Sequence, residues 1–139
     1  MAEGKPLVLL YATAPERRTS LRALLDGQGY DIVAVASAED ALNAISAQGI
    51  SAALIEVTAE GVEAIGWLRR LKERQPDVAV VALIDPAAMP LGRAAGQAGA
   101  AGVIWTRDAL EPEDLEPLRQ ALAARERAQR RRTLGRAIP

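Results

Sequence analysis

The feature that most constrains this chain is an alternation of short apolar runs with longer segments of helical period. Five runs have the length of a strand and are almost continuously apolar: Leu7–Ala12, Ile32–Ala36, Ala52–Val57, Val78–Ile84 and Gly102–Trp105. Continuous apolar runs are typical of strands that are buried on both faces of a parallel sheet. The alternation therefore predicts one sheet of five parallel strands, covered by helices on both faces.

Residues that favour the start or the end of a helix mark the limits of the helices between these runs. Thr13 is predicted to be the N-cap of the first helix, in a capping box with Glu16, and Pro15 fits the first turn, where a missing N–H costs nothing. Ser37 is predicted to start the second helix in the same way. The remaining helix limits are predicted near Gly27, Gly49, Pro76, Leu91, Ala98 and Pro112.

Five βα units with right-handed crossovers leave few topologies, and the strand order 2-1-3-4-5 is the commonest. The predicted fold class is α/β, a flavodoxin-like (βα)5 three-layer sandwich with a five-stranded parallel sheet. The functional crevice of such a sheet lies at the carboxyl ends of its strands. A chain of 139 residues has the length for one such domain, which we predict over residues 1–122.

Composition excludes several classes of chemistry. The sequence contains no cysteine and no histidine, which rules out disulfides, thiolate nucleophiles, histidine-ligated zinc, Ser-His-Asp hydrolysis and phosphohistidine chemistry. No apolar run approaches the roughly 20 residues of a membrane-spanning helix. We therefore expect a cytoplasmic protein.

Several segments resemble the receiver domains of bacterial response regulators, the chemotaxis-regulator-like superfamily. The matching segments are residues 29–33, 36–42, 54–57, 76–83 and 98–100, and the resemblance spans about residues 6–122. It implies a module of two-component signal transduction, or phosphorelay. In that family two acidic residues after strand one bind Mg²⁺, and an aspartate ending strand three accepts the phosphoryl group. A Thr or Ser after strand four and a Lys after strand five contact the phosphate.

This chain departs from the family pattern at each of those positions. Ala12 and Thr13 stand in place of the acidic pair, and Glu56 stands in place of the phosphoacceptor aspartate. Ile84 replaces the hydroxyl residue, and Thr106, which Arg107 follows, replaces the lysine. The metal ligands, the nucleophile, the switch hydroxyl and the cation are thus lost together. The resemblance therefore implies a pseudo-receiver, which is not an enzyme, holds no metal, and acts by protein–protein interaction independently of phosphorylation.

Glu56 has two competing interpretations. Its longer side chain could mimic a permanently phosphorylated aspartate, or it could be a solvated carboxylate at a strand end. A mimic needs the hydroxyl and the lysine to respond to it, and both are missing, so the solvated carboxylate is favoured. Two alternative functions also stay open. The chain could be an active receiver phosphorylated at an unusual site, or the N-terminal regulatory or targeting domain of a larger multidomain protein such as a pilus-assembly ATPase.

Helix four, strand five and helix five form the surface that receivers use for dimerisation and output. By this resemblance a protein partner or a second copy would bind there, with Trp105, Leu91 and Leu110 as candidate interface residues. Tryptophan is enriched at protein interfaces, although it also fills cores.

The net charge of −1 conceals a basic end to the chain, where six arginines lie between Arg125 and Arg136. The apolar stripe of helix five fades after Leu122, so residues 123–139 are predicted to form a basic helical extension or linker that does not pack on the sheet. Nucleic-acid binding is disfavoured because no aromatic residues are interleaved with the arginines. The last six residues have the composition of a linker to a further domain.

Overall fold

The computed structural model describes residues 5–47, 49–58, 63–106 and 109–137. Its strands are β1 (Leu7–Tyr11), β2 (Asp31–Val35), β3 (Ala52–Val57), β4 (Ala79–Ile84) and β5 (Gly102–Trp105). They form one parallel sheet in the order β2-β1-β3-β4-β5. The predicted fold class and strand order are confirmed, and each predicted strand limit lies within one residue of the observed one.

Five helices connect and follow these strands. They are α1 (Pro15–Gly27), α2 (Ala38–Ala47), α3 (Glu63–Arg74), α4 (Leu91–Ala98) and α5 (Glu116–Ala137). Short 3₁₀ turns at Pro86–Ala88 and Pro112–Leu115 precede α4 and α5. The helix predicted to begin near Pro112 therefore starts as a 3₁₀ turn and becomes α-helical at Glu116. Within the described residues, no helix combines the length and the apolarity that crossing a membrane requires.

The sheet separates two apolar cores. Side chains of α1 and α5, including Leu25 and Leu118, pack on one face of the sheet, and those of α2, α3 and α4 pack on the other. Successive residues of a strand point to opposite faces. In β1, for example, Val8 joins the α1/α5 core and Leu9 joins the other. This double burial explains why the strands are continuously apolar in sequence.

The core is built largely from aliphatic side chains, and the sequence contains no phenylalanine. Trp67 of α3 is its largest member and is 2% exposed, as its place on the apolar stripe of that helix predicts. Its indole meets the ring of Tyr11 edge to face, with ring centroids 4.9 Å apart and an angle of 79° between the ring planes. Such edge-to-face pairs add to the stabilisation that burial provides.

The capping box predicted at Thr13 is wrong. The N-cap of α1 is Ala14, and no side chain caps that helix, although Pro15 does occupy its first turn. The hydroxyl of Thr13 instead donates a hydrogen bond to Glu56, a residue of β3. At α2 the prediction is confirmed, because the Ser37 hydroxyl oxygen accepts a hydrogen bond from the N–H of Asp40 at 3.1 Å.

Helix α5 stays against the rest of the protein beyond the end of its apolar stripe. Nε of Arg125 donates to the carbonyl oxygen of Asp77 at 2.7 Å, and Nη2 of Arg132 lies 2.9 Å from Oδ1 of Asp77. The helix therefore keeps polar contacts with the loop before β4 as far as Arg132, and the expectation that residues 123–139 form an extension that does not pack on the sheet stays a prediction. Polar contacts hold this part of the helix where apolar ones have ended. The division of the chain into residues 1–122 and 123–139 stays a prediction.

Candidate functional site

The candidate site lies at the carboxyl ends of the strands, where β1, β3, β4 and β5 finish side by side. In the sheet register Tyr11 pairs with Ile55, Val57 with Ile84, and Ile84 with Trp105. This register brings Ala12, Thr13, Glu56, Ile84 and Thr106 to one edge of the sheet, as the sequence predicts. Their chemistry depends on the contacts that each of them makes there.

Glu56 is held by two residues that follow β1. Oε1 of Glu56 accepts a hydrogen bond from the backbone N–H of Thr13 at 3.0 Å and another from the Thr13 hydroxyl at 3.2 Å. Oε2 of Glu56 lies 3.3 Å from Nε of Arg17. We refer to Thr13, Arg17 and Glu56 together as the Glu56 clamp.

The interpretation of Glu56 as a solvated carboxylate is wrong, because its side chain is only 11% exposed and both of its oxygens are bonded. Two features place positive charge beside this carboxylate. The guanidinium of Arg17 supplies an opposite charge, and the start of α1 at Pro15 places the positive end of a helix dipole nearby.

Two arginines at the start of α1 brace the loop that leads into it. Arg17 binds Glu56, whereas Nη1 of Arg18 donates to the carbonyl oxygens of Ala12 at 2.7 Å and of Thr13 at 3.3 Å. Sequence reasoning missed both residues. The sequence did contain a signal for them. Two cationic residues, Arg17 and Arg18, follow the candidate site residue Thr13 by about one helical turn, and the centre of that site is the carboxylate of Glu56.

The residues present do not fit the Mg²⁺ that the resemblance associates with this edge of the sheet. Ala12 is fully buried and offers only a methyl group, and the positive guanidinium of Arg17 lies beside the one carboxylate of the clamp. Mg²⁺ requires several oxygen ligands, and a neighbouring cation repels it. Among the described residues, no group of three or more acidic side chains could hold a metal ion.

The two positions that would contact a phosphate are closed. Ile84 is fully buried and its side chain carries no hydrogen-bond donor. Thr106 is 4% exposed, and its backbone N–H donates to the carbonyl oxygen of Ile84 at 2.9 Å. Arg107, which follows it, lies outside the described residues. Ile84 and Thr106 therefore complete the packing of the sheet edge between β4 and β5.

The candidate interface residues are exposed to different degrees. Trp105 is 36% exposed, and its indole packs against α4 at Gly92. The absence of a side chain at Gly92 leaves room for the indole, since a Cβ there would lie 3.2 Å from Cη2 of Trp105. Leu91 and Leu110 are half-buried against the two cores, so they offer less free surface than Trp105. Met89, which lies just before α4, is 59% exposed, and sequence reasoning missed it.

Trp105 borders a cleft of about 490 Å³ between β5 and the start of α5. Its lining combines apolar residues with two acidic ones: Val103, Ile104, Trp105, Ala109, Leu110 and Pro117, together with Glu113 and Asp114.

No family model matches the sequence. No curated protein matches it either. Solved structures do match. The response regulator receiver domain protein (CheY-like) from Methanospirillum hungatei JF-1 superposes with a TM-score of 0.79 at 20% identity, over 90% of this chain and 99% of that one. A response regulator from Thermotoga maritima gives a TM-score of 0.76 at 21% identity, over 86% of this chain and 98% of that one.

A third similar structure is that of a putative pilus assembly-related protein from Burkholderia pseudomallei K96243. Its TM-score is 0.75 at 19% identity, over 88% of this chain and 93% of that one. The chain also matches 30% of the longer NtrX protein from Brucella abortus, with a TM-score of 0.85 and 16% identity. At these identities the likeness is one of fold. The chain therefore has the fold of the CheY-like response-regulator receiver domains.

Proposed function

We propose that this chain is a pseudo-receiver, a two-component-type signalling module that works by protein contact and without phosphoryl transfer. The observation that carries the proposal is the Glu56 clamp. At the position where a receiver holds its phosphoacceptor, this chain holds a carboxylate whose two oxygens are already bonded to Thr13 and Arg17. The proposal also places the protein in the cytoplasm.

Formation of an acyl phosphate requires a carboxylate oxygen that can approach phosphorus. It also requires a metal ion and donors that stabilise the charge of the transferring group. At the clamp, Oε1 would have to give up two hydrogen bonds and Oε2 would have to leave a guanidinium. Because Ile84 provides no hydroxyl, little remains to compensate for that loss. The same contacts fix the loop after β1 in one arrangement.

The direct test is incubation of the protein with acetyl phosphate and Mg²⁺, followed by intact-mass spectrometry. We expect no phosphoryl adduct on the wild type, and none on Glu56→Ala, the matched control. An adduct on the wild type that is lost in Glu56→Ala would overturn the proposal. It would favour the alternative of an active receiver that is phosphorylated at an unusual site.

The proposed contact face consists of α4, β5 and the start of α5, and it binds a protein partner or a second copy. Its support is the partly exposed Trp105, the exposed Met89 just before α4, and the adjoining cleft, whose lining includes apolar residues and the acidic Glu113 and Asp114. Large rigid aromatic side chains next to a pocket are frequent anchors of protein interfaces.

Photo-crosslinking in cells tests this face. A photoreactive residue at Met89 is expected to give a defined crosslinked product, which Trp105→Ala weakens. The control places the same residue at Glu39, which is exposed on α2, away from the face. Equal products from both positions, or no product from Met89, would argue against the face.

A second candidate function is that of an N-terminal regulatory or targeting domain of a larger protein that serves pilus assembly. The likeness to the putative pilus assembly-related protein of Burkholderia pseudomallei favours it. The reading frame after the codon for Pro139 tests this candidate. A following ATPase domain would support it, and a stop codon there would exclude it.

A further inference from the structure

A second cleft, of about 240 Å³, lies between the later part of α5, the end of α3 and the loop that joins α3 to β4. Its lining includes Ala79, the first residue of β4, and Ala101, which precedes β5. The cleft is therefore at the edge of the sheet where these strands begin, whereas Glu56 lies near the end of β3. We call it the Lys72 cleft, after the residue that α3 contributes to it.

Small side chains leave the Lys72 cleft unfilled. Five of its lining residues are alanines, which come from β4, from the residue before β5, and from α5: Ala79, Ala101, Ala121, Ala124 and Ala128. At roughly 30 Å³ for each water molecule, the cleft has room for about eight. It is smaller than the pockets of about 300–1,000 Å³ that hold drug-sized ligands. Its size therefore suits a small molecule with a short apolar part.

Three cations and one carboxylate also line the cleft. The cations are Lys72, Arg125 and Arg132, and the acid is Asp77. Arg132 pairs with the Asp77 carboxylate at 2.9 Å, whereas Arg125 and Lys72 donate to backbone carbonyl oxygens of the loop before β4. Carbonyl groups are neutral, so these bonds do not cancel the charge of either cation. With three positive charges and one negative, the four groups carry a formal charge of +2.

The cations keep hydrogen-bond donors that the protein does not use. A guanidinium has five N–H donors and an ammonium has three. Among the contacts between described residues, Arg125 and Arg132 each give one N–H to Asp77, and Lys72 gives two to the loop. No described carboxylate forms an ion pair with Arg125. Lys72 and Arg125 are half-buried, so solvent screens their charges less than those of fully exposed side chains.

The unbalanced charge and the alanines together indicate the chemistry of a ligand. A phosphate monoester carries about −1.5 to −2 at neutral pH, which matches the charge of the cleft. Guanidinium groups bind phosphate oxygens through pairs of charge-assisted hydrogen bonds. The methyl groups of the alanines offer an apolar surface to the group that the phosphate esterifies. A polyanion such as a nucleic acid would leave most of its phosphates outside a cleft of this size.

We propose that the Lys72 cleft binds a small phosphate monoester, with its phosphate between Lys72, Arg125 and Arg132 and its apolar part against the alanines. The proposal goes beyond the proposed function and does not rest on it, because the cleft and the Glu56 clamp lie at opposite edges of the sheet. A ligand held in this way connects α3 to α5, so its binding stabilises the later part of α5.

Isothermal titration calorimetry on the full chain at low ionic strength tests the site, with butyl phosphate as the probe. We expect a Kd of about 1 mM or lower for butyl phosphate. Inorganic phosphate should bind about tenfold more weakly, because it leaves the alanine methyl groups uncovered. Butan-1-ol, which lacks the anionic group, should not bind.

Substitutions in α5 separate the two parts of the site. Arg132→Gln should raise the Kd of butyl phosphate by about tenfold, since it removes a charged donor. Arg127→Gln is the matched control, because it removes the same charge from an exposed residue on the other side of α5. Ala128→Leu occupies part of the cleft and keeps the cations, so it should bring the Kd of butyl phosphate close to that of inorganic phosphate.

A wild type that shows no saturable binding of butyl phosphate up to about 10 mM would overturn the proposal. Equal affinities for butyl phosphate and inorganic phosphate would do the same, as would equal effects of Arg127→Gln and Arg132→Gln. Circular dichroism checks the fold of each variant, and Ala128→Val replaces Ala128→Leu if the larger side chain unfolds the protein. Butyl phosphate is not a phosphoryl donor, so these outcomes are independent of whether Glu56 can be phosphorylated.

Discussion

Glu56 shows how a single charged side chain can occupy a nearly closed site. A carboxylate that is 11% exposed has lost most of its hydration, and an unpaired charge in such a place would be strongly destabilising. Two hydrogen bonds from Thr13 and the ion pair with Arg17 compensate for that loss. The clamp also ties the end of β3 to the loop between β1 and α1.

Glu56→Gln is expected to lower the free energy of unfolding by about 1–2 kcal/mol. The amide keeps an oxygen for Thr13, but it removes the charge that faces Arg17. Urea denaturation monitored by circular dichroism measures the change. Glu73→Gln is the matched control on an exposed site and should stay within about 0.5 kcal/mol of the wild type. An equal stability of Glu56→Gln and wild type would mean that the clamp contributes nothing.

Helix α5 is held by different forces along its length. Its first turns follow a 3₁₀ turn in which Asp114 accepts a hydrogen bond from the N–H of Glu111 at 2.7 Å. Its middle is held by Leu118 and Ala121 in the core, and its later part by Asp77. Lys72 fixes the loop that carries Asp77 by donating to the carbonyl oxygens of Pro76 and Val78. Burial lowers the pKa of Lys72, and the charge of Asp77 opposes that shift.

Asp77→Ala should loosen the later part of α5 while the middle stays protected. The variant removes the carboxylate that binds Arg132, whereas the contact from Arg125 to the backbone carbonyl can persist. Hydrogen exchange should therefore speed up around Arg132 and stay slow around Leu118.

Glu126→Ala is the matched control for that experiment. It removes a charge that pairs with Arg130 on the same helix, at 3.9 Å. Equal acceleration around Arg132 in both variants would show that helix propensity, and not the contact with Asp77, orders this part of α5.

At the scale of the whole molecule, each of the two cores lies between one face of the sheet and the helices that cover that face. The α1/α5 core takes Leu115, Leu118 and Ala121 from α5, and Leu122 packs at its edge. The residues after Ala123 add polar contacts at the surface. Surface ion pairs and hydrogen bonds of this kind contribute little to stability, about 0–1 kcal/mol each.

Truncation after Ala123 is therefore expected to leave the fold intact. Circular dichroism should show an unchanged β content and a cooperative melt, with a free energy of unfolding lower by about 1 kcal/mol through the loss of Arg125 and Arg132. Loss of cooperative melting would instead place the residues after Ala123 within the folding unit.

The pattern of apolar residues by itself determined the five strands, their limits to within one residue, and the order of the sheet. It could do so because strands buried on both faces are apolar whatever packs on them, and because crossover handedness restricts the topology. Only the tertiary structure decided that Thr13 and Arg17 bind Glu56 and that Arg132 binds Asp77. Thr13 and Glu56 are 43 residues apart, and Asp77 and Arg132 are 55 apart. Such contacts depend on strand register and on the direction of each side chain, which local periodicity does not record.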